Sequence, residues 1–132
     1  MTTENYAISI KQPWAWVIAE NIKNIENRSW KCPFKYLGKR IYIHASKGID
    51  YKGFSFIRDF GVTVPPVCEL TTGAIIGSFR IIRNVWSSPT NYWKEDDCWG
   101  WVLDDIKKFK EPIPCKGSLG FWKVPHSLVL PA

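Results

Sequence analysis

The sequence predicts an α+β fold, a small mixed β-barrel with flanking helices, in a single domain of residues 1–132. Two observations support this prediction. Five or six segments have strand character and two have helical spacing, with the strands mostly late in the chain and the helices between the early ones. No internal repeat, low-complexity tract or linker interrupts the chain. This order favours a compact barrel over a doubly wound parallel sheet.

The first 21 residues predict a strand followed by a helix. Residues 6–10 (YAISI) have the apolar, β-branched character of a strand. From Pro13, which suits the first turn of a helix because its missing N–H costs nothing there, apolar side chains recur at helical spacing through PWAWVIAEN. Asn21 is the predicted end of the helix, because asparagine tolerates the left-handed conformation found after helix C-termini.

The rest of the chain predicts mostly strands. Alternation places Glu26, Arg28 and Trp30 on one face of a strand that follows the first helix. A second helix is predicted within residues 48–61, with its end at Gly61. The other predicted strands cover residues 39–46, 73–86, 99–105 and 118–124. The polar stretch 87–98 predicts an exposed loop.

Charge and aromatic content point to a polyanionic partner. The chain has 18 lysines and arginines against 12 aspartates and glutamates, a net charge of +6, and eight tryptophans. A small domain needs only one or two such rings for its core, so others are expected to line a groove. Cations for phosphates together with flat rings for bases are what single-stranded nucleic acid requires.

Other classes of protein and site are disfavoured. No apolar run reaches the length of a membrane span, and the N-terminus lacks the features of a signal peptide, so we expect a cytoplasmic protein, or a nuclear one in a eukaryote, without a membrane partner. The four cysteines lie far apart in sequence, which predicts free thiols and neither a metal site nor a cofactor. Phosphate-binding loops and nucleophile motifs are absent, and His44 is expected to be a packed, hydrogen-bonded strand residue.

One segment resembles the signature of a known family. The stretch ISIKQPWAWVIAENIKNIENRSW is similar to that of the ASCH family, whose domains adopt the PUA-like fold. Residues 9–15 (SIKQPWA) match the opening of the signature, and Lys23, Glu26 and Arg28 match its charged part. The family's glycine is Asn21 here, and both residues suit a left-handed helix end. Later segments also resemble the family's strands, so the resemblance covers nearly the whole chain.

The resemblance implies a barrel with a cleft lined by the charged motif. Related PUA-like domains bind RNA, in some cases modified nucleosides. One bacterial branch of the family hydrolyses acetylcytidine with the motif lysine, the residue three positions later and a separate glutamate. That second residue is threonine in the branch and Glu26 in this chain. We therefore expect RNA or modified-nucleoside binding in a basic, tryptophan-lined cleft. A hydrolase, either an acetylcytidine amidohydrolase or a ribonuclease, is the alternative.

A small set of residues is expected to carry either function. At an apolar rim, desolvation disfavours the charged form of an amine such as that of Lys23, and a nearby carboxylate such as that of Glu26 opposes this effect. These two residues are therefore the candidate catalytic pair of the hydrolase. The expected contacts to nucleic acid are Lys11, Trp14, Lys23, Arg28, Ser46 and Lys47. In the hydrolase, Arg28 and Ser46 would position the substrate.

Structural roles remain open for the same residues. The charged motif could be an ion-paired network that ties the helix end to the barrel, Trp14 could belong to the core, and Ser46 could lie at a solvated strand end. Tyr92 and Trp93, in the polar loop, are further groove candidates, whereas at least one of two later tryptophans, Trp99 and Trp101, is expected in the core. A third function, a protein-interaction module built on exposed tryptophans, is expected if the aromatic patch lies far from the charged motif.

Overall fold

The computed structural model describes residues 4–131, which form six strands, two α-helices and two short 3₁₀ turns. In chain order these are β1 (Tyr6–Gln12), α1 (Trp14–Ala19), β2 (Ile25–Arg28), a 3₁₀ turn (Phe34–Tyr36), β3 (Arg40–Ile49), α2 (Tyr51–Asp59), a second 3₁₀ turn (Val67–Glu69), β4 (Ala74–Val85), β5 (Trp99–Pro114) and β6 (Phe121–Lys123). Neither helix in this part of the chain has the length and apolar character needed to cross a membrane.

The strands form one mixed sheet in the order β2-β5-β4-β3-β1-β6. β1 and β3 pair in parallel and the other neighbours are antiparallel. The sheet curls, so that side chains from its two ends meet: the rings of Trp101 on β5 and Phe121 on β6 stack with centroids 5.4 Å apart. Arg28 Nη2 on β2 also donates a hydrogen bond to the carbonyl oxygen of Ser9 on β1, at 3.0 Å. The α+β prediction is confirmed, with the barrel realised as a curled half-barrel.

Apolar residues cover both faces of this sheet. Alternation along β1 sends Ile8 to the face covered by α1, where Ile18 and Phe79 are also fully buried, and Ala7 to the opposite face. On that opposite face, residues near the C-terminus, including Leu128, pack against a second apolar cluster. The sheet is therefore buried on both sides, which makes it a rigid support for side chains at its ends.

β4 and β5 approach each other so closely at Gly77 that no other residue fits there. A Cβ atom on Gly77 would lie 2.4 Å from the carbonyl oxygen of Lys107, and the register of the two strands shifts at this point. β5 also continues to Pro114, well beyond the predicted end of the strand at residue 105. Its polar second half kept the sequence from predicting this, although Phe109 within that half is buried.

Both predicted helix ends are confirmed. Asn21 and Gly61, which follow α1 and α2, have φ angles of 61° and 82°, in the left-handed region. The last strand is shorter than predicted, since residues 118–120 belong to a loop in which Gly120 has φ 65°. Residues 87–98 form no helix or strand, as expected for a loop.

Candidate functional site

A hollow of about 350 Å³ lies where β1, β2 and the start of α2 come together. Six of the seven predicted site residues, from both the catalytic and the binding sets, are in its lining: Lys11, Trp14, Lys23, Glu26, Arg28 and Ser46. The seventh, Lys47, lines an adjoining depression. The lining is completed by Ser9, Ile10, Asn27, Asp50, Glu95, Leu119 and Gly120.

The end of α1 places Lys23 at the hollow. The left-handed conformation of Asn21 turns the chain out of the helix, and the amide N–H groups of Ile22 and Lys23 both donate to the carbonyl oxygen of Val17, at 3.1 Å each. The chain then enters β2 two residues later, at Ile25. Because the turn is fixed by backbone hydrogen bonds, the long Lys23 side chain enters the protein instead of extending into solvent.

Lys23 is a buried amine with one close carboxylate. The residue is 2% exposed, and its Nζ lies 3.8 Å from Oε1 of Glu26 and 4.9 Å from the centre of the Trp14 ring. A separation of 3.8 Å is an ion-pair contact but too long for a hydrogen bond. Burial lowers the pKa of Lys23, and the negative charges of Glu26 and Glu95 only partly oppose that effect. The amine therefore has N–H donors to offer a ligand in the hollow.

The second carboxylate oxygen of Glu26 is already in use. Oε2 accepts a hydrogen bond from Nε of Arg28 at 3.0 Å, and Arg28 in turn donates to the carbonyl oxygen of Ser9 on β1. The guanidinium also lies over the buried ring of Trp101, 5.5 Å from its centre. The charged motif thus ties β2 to β1 and lines the hollow as well.

The ring of Trp14 is held in one orientation. Its Nε1 donates to Oδ2 of Asp50 at 2.8 Å, so Asp50, the residue before α2, makes no side-chain cap for that helix. A Cβ atom on Gly53 would lie 3.0 Å from the same Nε1, and Phe56 meets the ring edge-on at 5.8 Å. The indole is half-buried and forms part of the wall of the hollow. Trp14 therefore packs within the protein and lines the candidate site at the same time.

Lys11, Ser46 and Lys47 reach the surface beside the hollow. The Lys11 stem passes over Gly48, where a Cβ atom would be only 3.4 Å from Cε of the lysine. Ser46 and Lys47 do not end their strand as predicted, since β3 continues to Ile49. The strand bulges opposite β1 at this point, because the register shifts between Ile10 and Gln12.

The hollow differs from the predicted basic, tryptophan-lined cleft in two respects. Its lining balances three basic side chains against three acidic ones: Lys11, Lys23 and Arg28 against Glu26, Asp50 and Glu95. Trp14 is the only tryptophan that contributes to the wall, among the residues that the structure describes. The net charge of the protein therefore lies elsewhere on its surface.

The groove candidates from the polar loop do not line the hollow. Trp93 is half-buried and stacks on Phe60 of the α2 end at 4.3 Å, and Tyr92 is 81% exposed. Phe60 contacts Phe56, which contacts Trp14, so an aromatic run extends from the hollow to this loop. Of the two later tryptophans, Trp101 is fully buried, as expected for at least one of them.

Sequence reasoning missed the residues that reach the hollow from elsewhere in the chain. Asn27 lies within the motif but was passed over; it holds the polar loop by donating to Trp93 O at 2.9 Å and accepting from the Glu95 N–H at 3.0 Å. This clamp brings the Glu95 side chain to the hollow. Asp50 directly precedes the second helix, and an acidic residue in that position indicates an N-cap instead of a site residue. No sequence pattern marked Glu95 or Leu119.

The remaining polar candidates are structural. His44 is 4% exposed and its Nε2 donates to the carbonyl oxygen of Cys115 at 2.9 Å, so the prediction of a packed, hydrogen-bonded histidine is confirmed. Burial raises the pKa of Cys32 to about 12 and raises that of Cys98, which keeps these thiols protonated and poorly nucleophilic. Within residues 4–131, no three histidine, cysteine or acidic side chains converge as a metal site requires.

The lowered pKa of Lys23 predicts how stability depends on pH. Between the folded-state pKa and the ordinary lysine value of 10.5, the unfolded chain binds more protons at this residue than the folded chain does. Stability therefore rises with pH in that window, because the cost of burying a charged amine is fully present below the folded pKa and is relieved above it. Relative to Lys23→Met, which cannot titrate there, the parent should gain stability as pH rises toward 10.5.

Urea denaturation of both proteins across this pH range measures the effect. All other titrating groups are common to the two proteins, so they cancel in the difference between the free energies of unfolding. A difference that stays constant with pH, or grows in favour of the variant as pH rises, would show that burial does not destabilise the charged Lys23.

Comparison with known proteins agrees with this architecture. The sequence matches the model of the ASCH domain over residues 8–117. Two solved structures from Zymomonas mobilis, of ASCH and of a serine-to-alanine mutant of ZmASCH, share the fold with a TM-score of 0.56 and 16% identity each. The match covers 92% of this chain, 88% of the ASCH chain and 89% of the mutant chain. No curated protein is similar enough in sequence to match the chain.

Proposed function

Because the chain belongs to the ASCH domain family, we propose that the hollow binds a single nucleoside, presented free or within single-stranded RNA. ASCH domains are PUA-like domains and in general bind RNA. The observation that carries the proposal is the nearly buried Lys23 amine, which lies 3.8 Å from Glu26 and over the face of Trp14 inside the hollow.

The size of the hollow supports one nucleoside. Its volume of about 350 Å³ lies at the low end of the range for small-molecule pockets, roughly 300–1,000 Å³. A duplex would not enter such a space. A base turned out of a single strand, or a free nucleoside, presents both a flat ring and an unpaired hydrogen-bonding edge to a pocket of this kind.

The lining supports recognition of a base edge. The amine of Lys23 is a donor that no carboxylate saturates, and Oε1 of Glu26 is the acceptor beside it. An adjacent carbonyl oxygen and amino group on a base, as cytosine presents, would meet this pair in complementary fashion. The fixed ring of Trp14 offers a flat apolar surface for the base itself.

The charge balance of the lining indicates that the base-binding step is not driven by phosphate. With three cations and three anions around it, the hollow has little net attraction for a polyanion. Binding of a neutral nucleoside should therefore depend only weakly on salt, in contrast to binding dominated by phosphate contacts.

A hydrolase is the second candidate function, and the placement of an amine and a carboxylate side by side in the hollow favours it. In amide hydrolysis, Glu26 would take a proton from a water molecule that adds to the acyl carbon, while Lys23 donates a hydrogen bond to the acyl oxygen. The C–N bond then breaks and the proton passes to the leaving nitrogen, which yields a carboxylic acid and a free amine. Arg28 and Ser46 would hold the substrate.

Calorimetric titration with cytidine, acetylcytidine, uridine, adenosine and guanosine tests the proposal. We expect at least one nucleoside to bind, with an affinity that changes little between about 50 and 200 mM salt. If none of these nucleosides binds, the proposal is wrong. Mass spectrometry of each ligand after incubation separates the two candidates: cleavage of acetylcytidine that is lost in both Lys23→Ala and Glu26→Ala indicates a hydrolase, and an unchanged ligand indicates binding alone.

A further inference from the structure

We infer that the depression beside the hollow is a phosphate subsite, so that the natural ligand is a phosphate-bearing nucleoside, either a nucleotide or one residue of a single strand. The inference rests on the proposed function, because it extends the nucleoside site. The depression has a volume of about 710 Å³ and contains Lys47 and Lys116.

The depression adjoins the hollow. Ser9, Ser46 and Leu119 line both of them. Leu119 is 97% exposed and lies on the boundary between the two, at the end of the 115–120 loop. A phosphate joined to a nucleoside in the hollow would therefore lie close to the depression.

The charge of the depression contrasts with that of the hollow. Its lining contains two lysines and no acidic residue, among the residues that the structure describes: Ser9, His44, Ser46, Lys47, Gly73, Cys115, Lys116, Gly117, Ser118 and Leu119. Within residues 4–131, neither Lys47 nor Lys116 has an acidic oxygen within 4.0 Å. The Lys47 stem packs on Gly73, where a Cβ atom would lie 3.4 Å from Cε. These cations are free to meet an anion.

The backbone of the 115–120 loop has the polarity that an anion site requires. Three of its carbonyl oxygens accept hydrogen bonds from the protein: Cys115 O from His44, and Ser118 O and Gly120 O from the hydroxyl and N–H of Ser9, at 2.6 and 3.3 Å. Within the described part of the chain, the backbone N–H groups of residues 116–119 donate no hydrogen bond to another protein group. A loop whose carbonyls are engaged and whose N–H groups are unpaired favours a negative ligand.

The loop is held in this conformation by close packing. A Cβ atom on Gly117 would lie 2.4 Å from Cε1 of the buried His44 ring, so the backbone rests directly on the imidazole. The hydroxyl of Ser9 also accepts a hydrogen bond from Nε1 of Trp122, at 3.0 Å. Ser9 and His44 therefore fix three carbonyl groups of the loop, which limits the movement of its backbone.

Calorimetry on the whole protein with matched ligands tests the inference. The ligands are a nucleoside that binds, its 3′- and 5′-monophosphates, and dinucleotides that contain it. We expect at least one phosphate-bearing ligand to bind about tenfold more tightly than the nucleoside, as one charge-assisted hydrogen bond allows. A gain with a monophosphate indicates a nucleotide ligand, and a gain only with a dinucleotide indicates a strand.

The Lys47→Ala/Lys116→Ala variant identifies where the phosphate binds. In this variant, the ratio of the affinity for the phosphate-bearing ligand to the affinity for the nucleoside should fall to about one. The control variant Lys52→Ala/Lys110→Ala removes the same charge from other exposed positions and should keep the parent's ratio. Equal affinity of the parent for the nucleoside and for every phosphate-bearing ligand, dinucleotides included, or an equal loss in both double variants, overturns the phosphate subsite alone. If no nucleoside binds the parent at all, the proposed function fails, and the inference fails with it.

Discussion

Lys23→Met is expected to bind a nucleoside at least about thirtyfold more weakly than the parent, because truncating a buried, hydrogen-bonding charge at a binding site costs roughly 2 kcal/mol or more. Lys23 is almost entirely buried, at 2% exposure of the residue. A donor in such a position is shielded from water, so its hydrogen bond to a ligand is strong. Methionine retains most of the length and the apolar stem of the side chain but has no donor.

The fold is expected to survive this change. Glu26 keeps its hydrogen bond to Arg28 Nε at 3.0 Å, so removing Lys23 leaves no unpaired carboxylate. Near neutral pH, removing a buried cation also removes its desolvation cost, and the free energy of unfolding should be equal to or higher than that of the parent. The loss of affinity can therefore be assigned to the missing donor and not to unfolding.

Lys39→Met is the matched control for the loss of one positive charge. Lys39 is exposed and lines no part of the hollow. Calorimetry should give the parent's nucleoside affinity for this variant. If Lys23→Met also binds like the parent, the amine does not contact the ligand, and the base edge must be read by other groups.

Glu26→Ala is expected to lower the free energy of unfolding by about 3–5 kcal/mol, the usual cost of breaking a buried ion pair by removing one partner. The carboxylate is the shared partner of two cations: Lys23, which is buried, and Arg28, whose side chain is 23% exposed. Its removal leaves both without a contacting carboxylate and deprives Arg28 of a hydrogen-bond acceptor. A loss of this size is a large part of the total stability of a small domain, about 5–15 kcal/mol.

A double-mutant cycle measured by urea denaturation tests the coupling between the two residues. In the Lys23→Met background the cost of Glu26→Ala should be smaller by about 0.5–3 kcal/mol, because the buried amine no longer loses a partner. Asp104→Ala serves as the surface control, since Asp104 pairs with Arg80 at 3.9 Å with both side chains about half exposed, and it should cost under about 1 kcal/mol. An identical cost of Glu26→Ala in both backgrounds would mean that Lys23 and Glu26 do not interact.

Local features of the chain were predictable from the sequence because they depend on neighbouring residues. Asn21 ends the first helix through its tolerance of positive φ, and alternation places Glu26 and Arg28 on the same side of β2. Both follow from backbone sterics and strand geometry over a few residues. The same short segment carries the family signature, and with it the fold.

Errors arose where polar residues concealed a strand or where part of a loop was assigned to a strand. The second half of β5 is rich in lysine and proline and was not predicted as a strand, yet it pairs with β4 because residues such as Phe109 pack inward. The start of the last strand was predicted too early, because Gly120 has a φ angle of 65° and Ser118 O accepts its hydrogen bond from the Ser9 hydroxyl instead of from a backbone N–H of β1.

By itself, the sequence determined the family, the α+β fold class and the charged triad at the first helix end, since each could be recognised from the pattern of residues along short segments. Only the tertiary structure decided the character of the site. Asp50, Glu95 and Leu119 reach it from three separate parts of the chain, and two of them cancel the basic charge that composition had suggested. Electrostatics and enclosure depend on distances in space, and spacing along the chain does not report those distances.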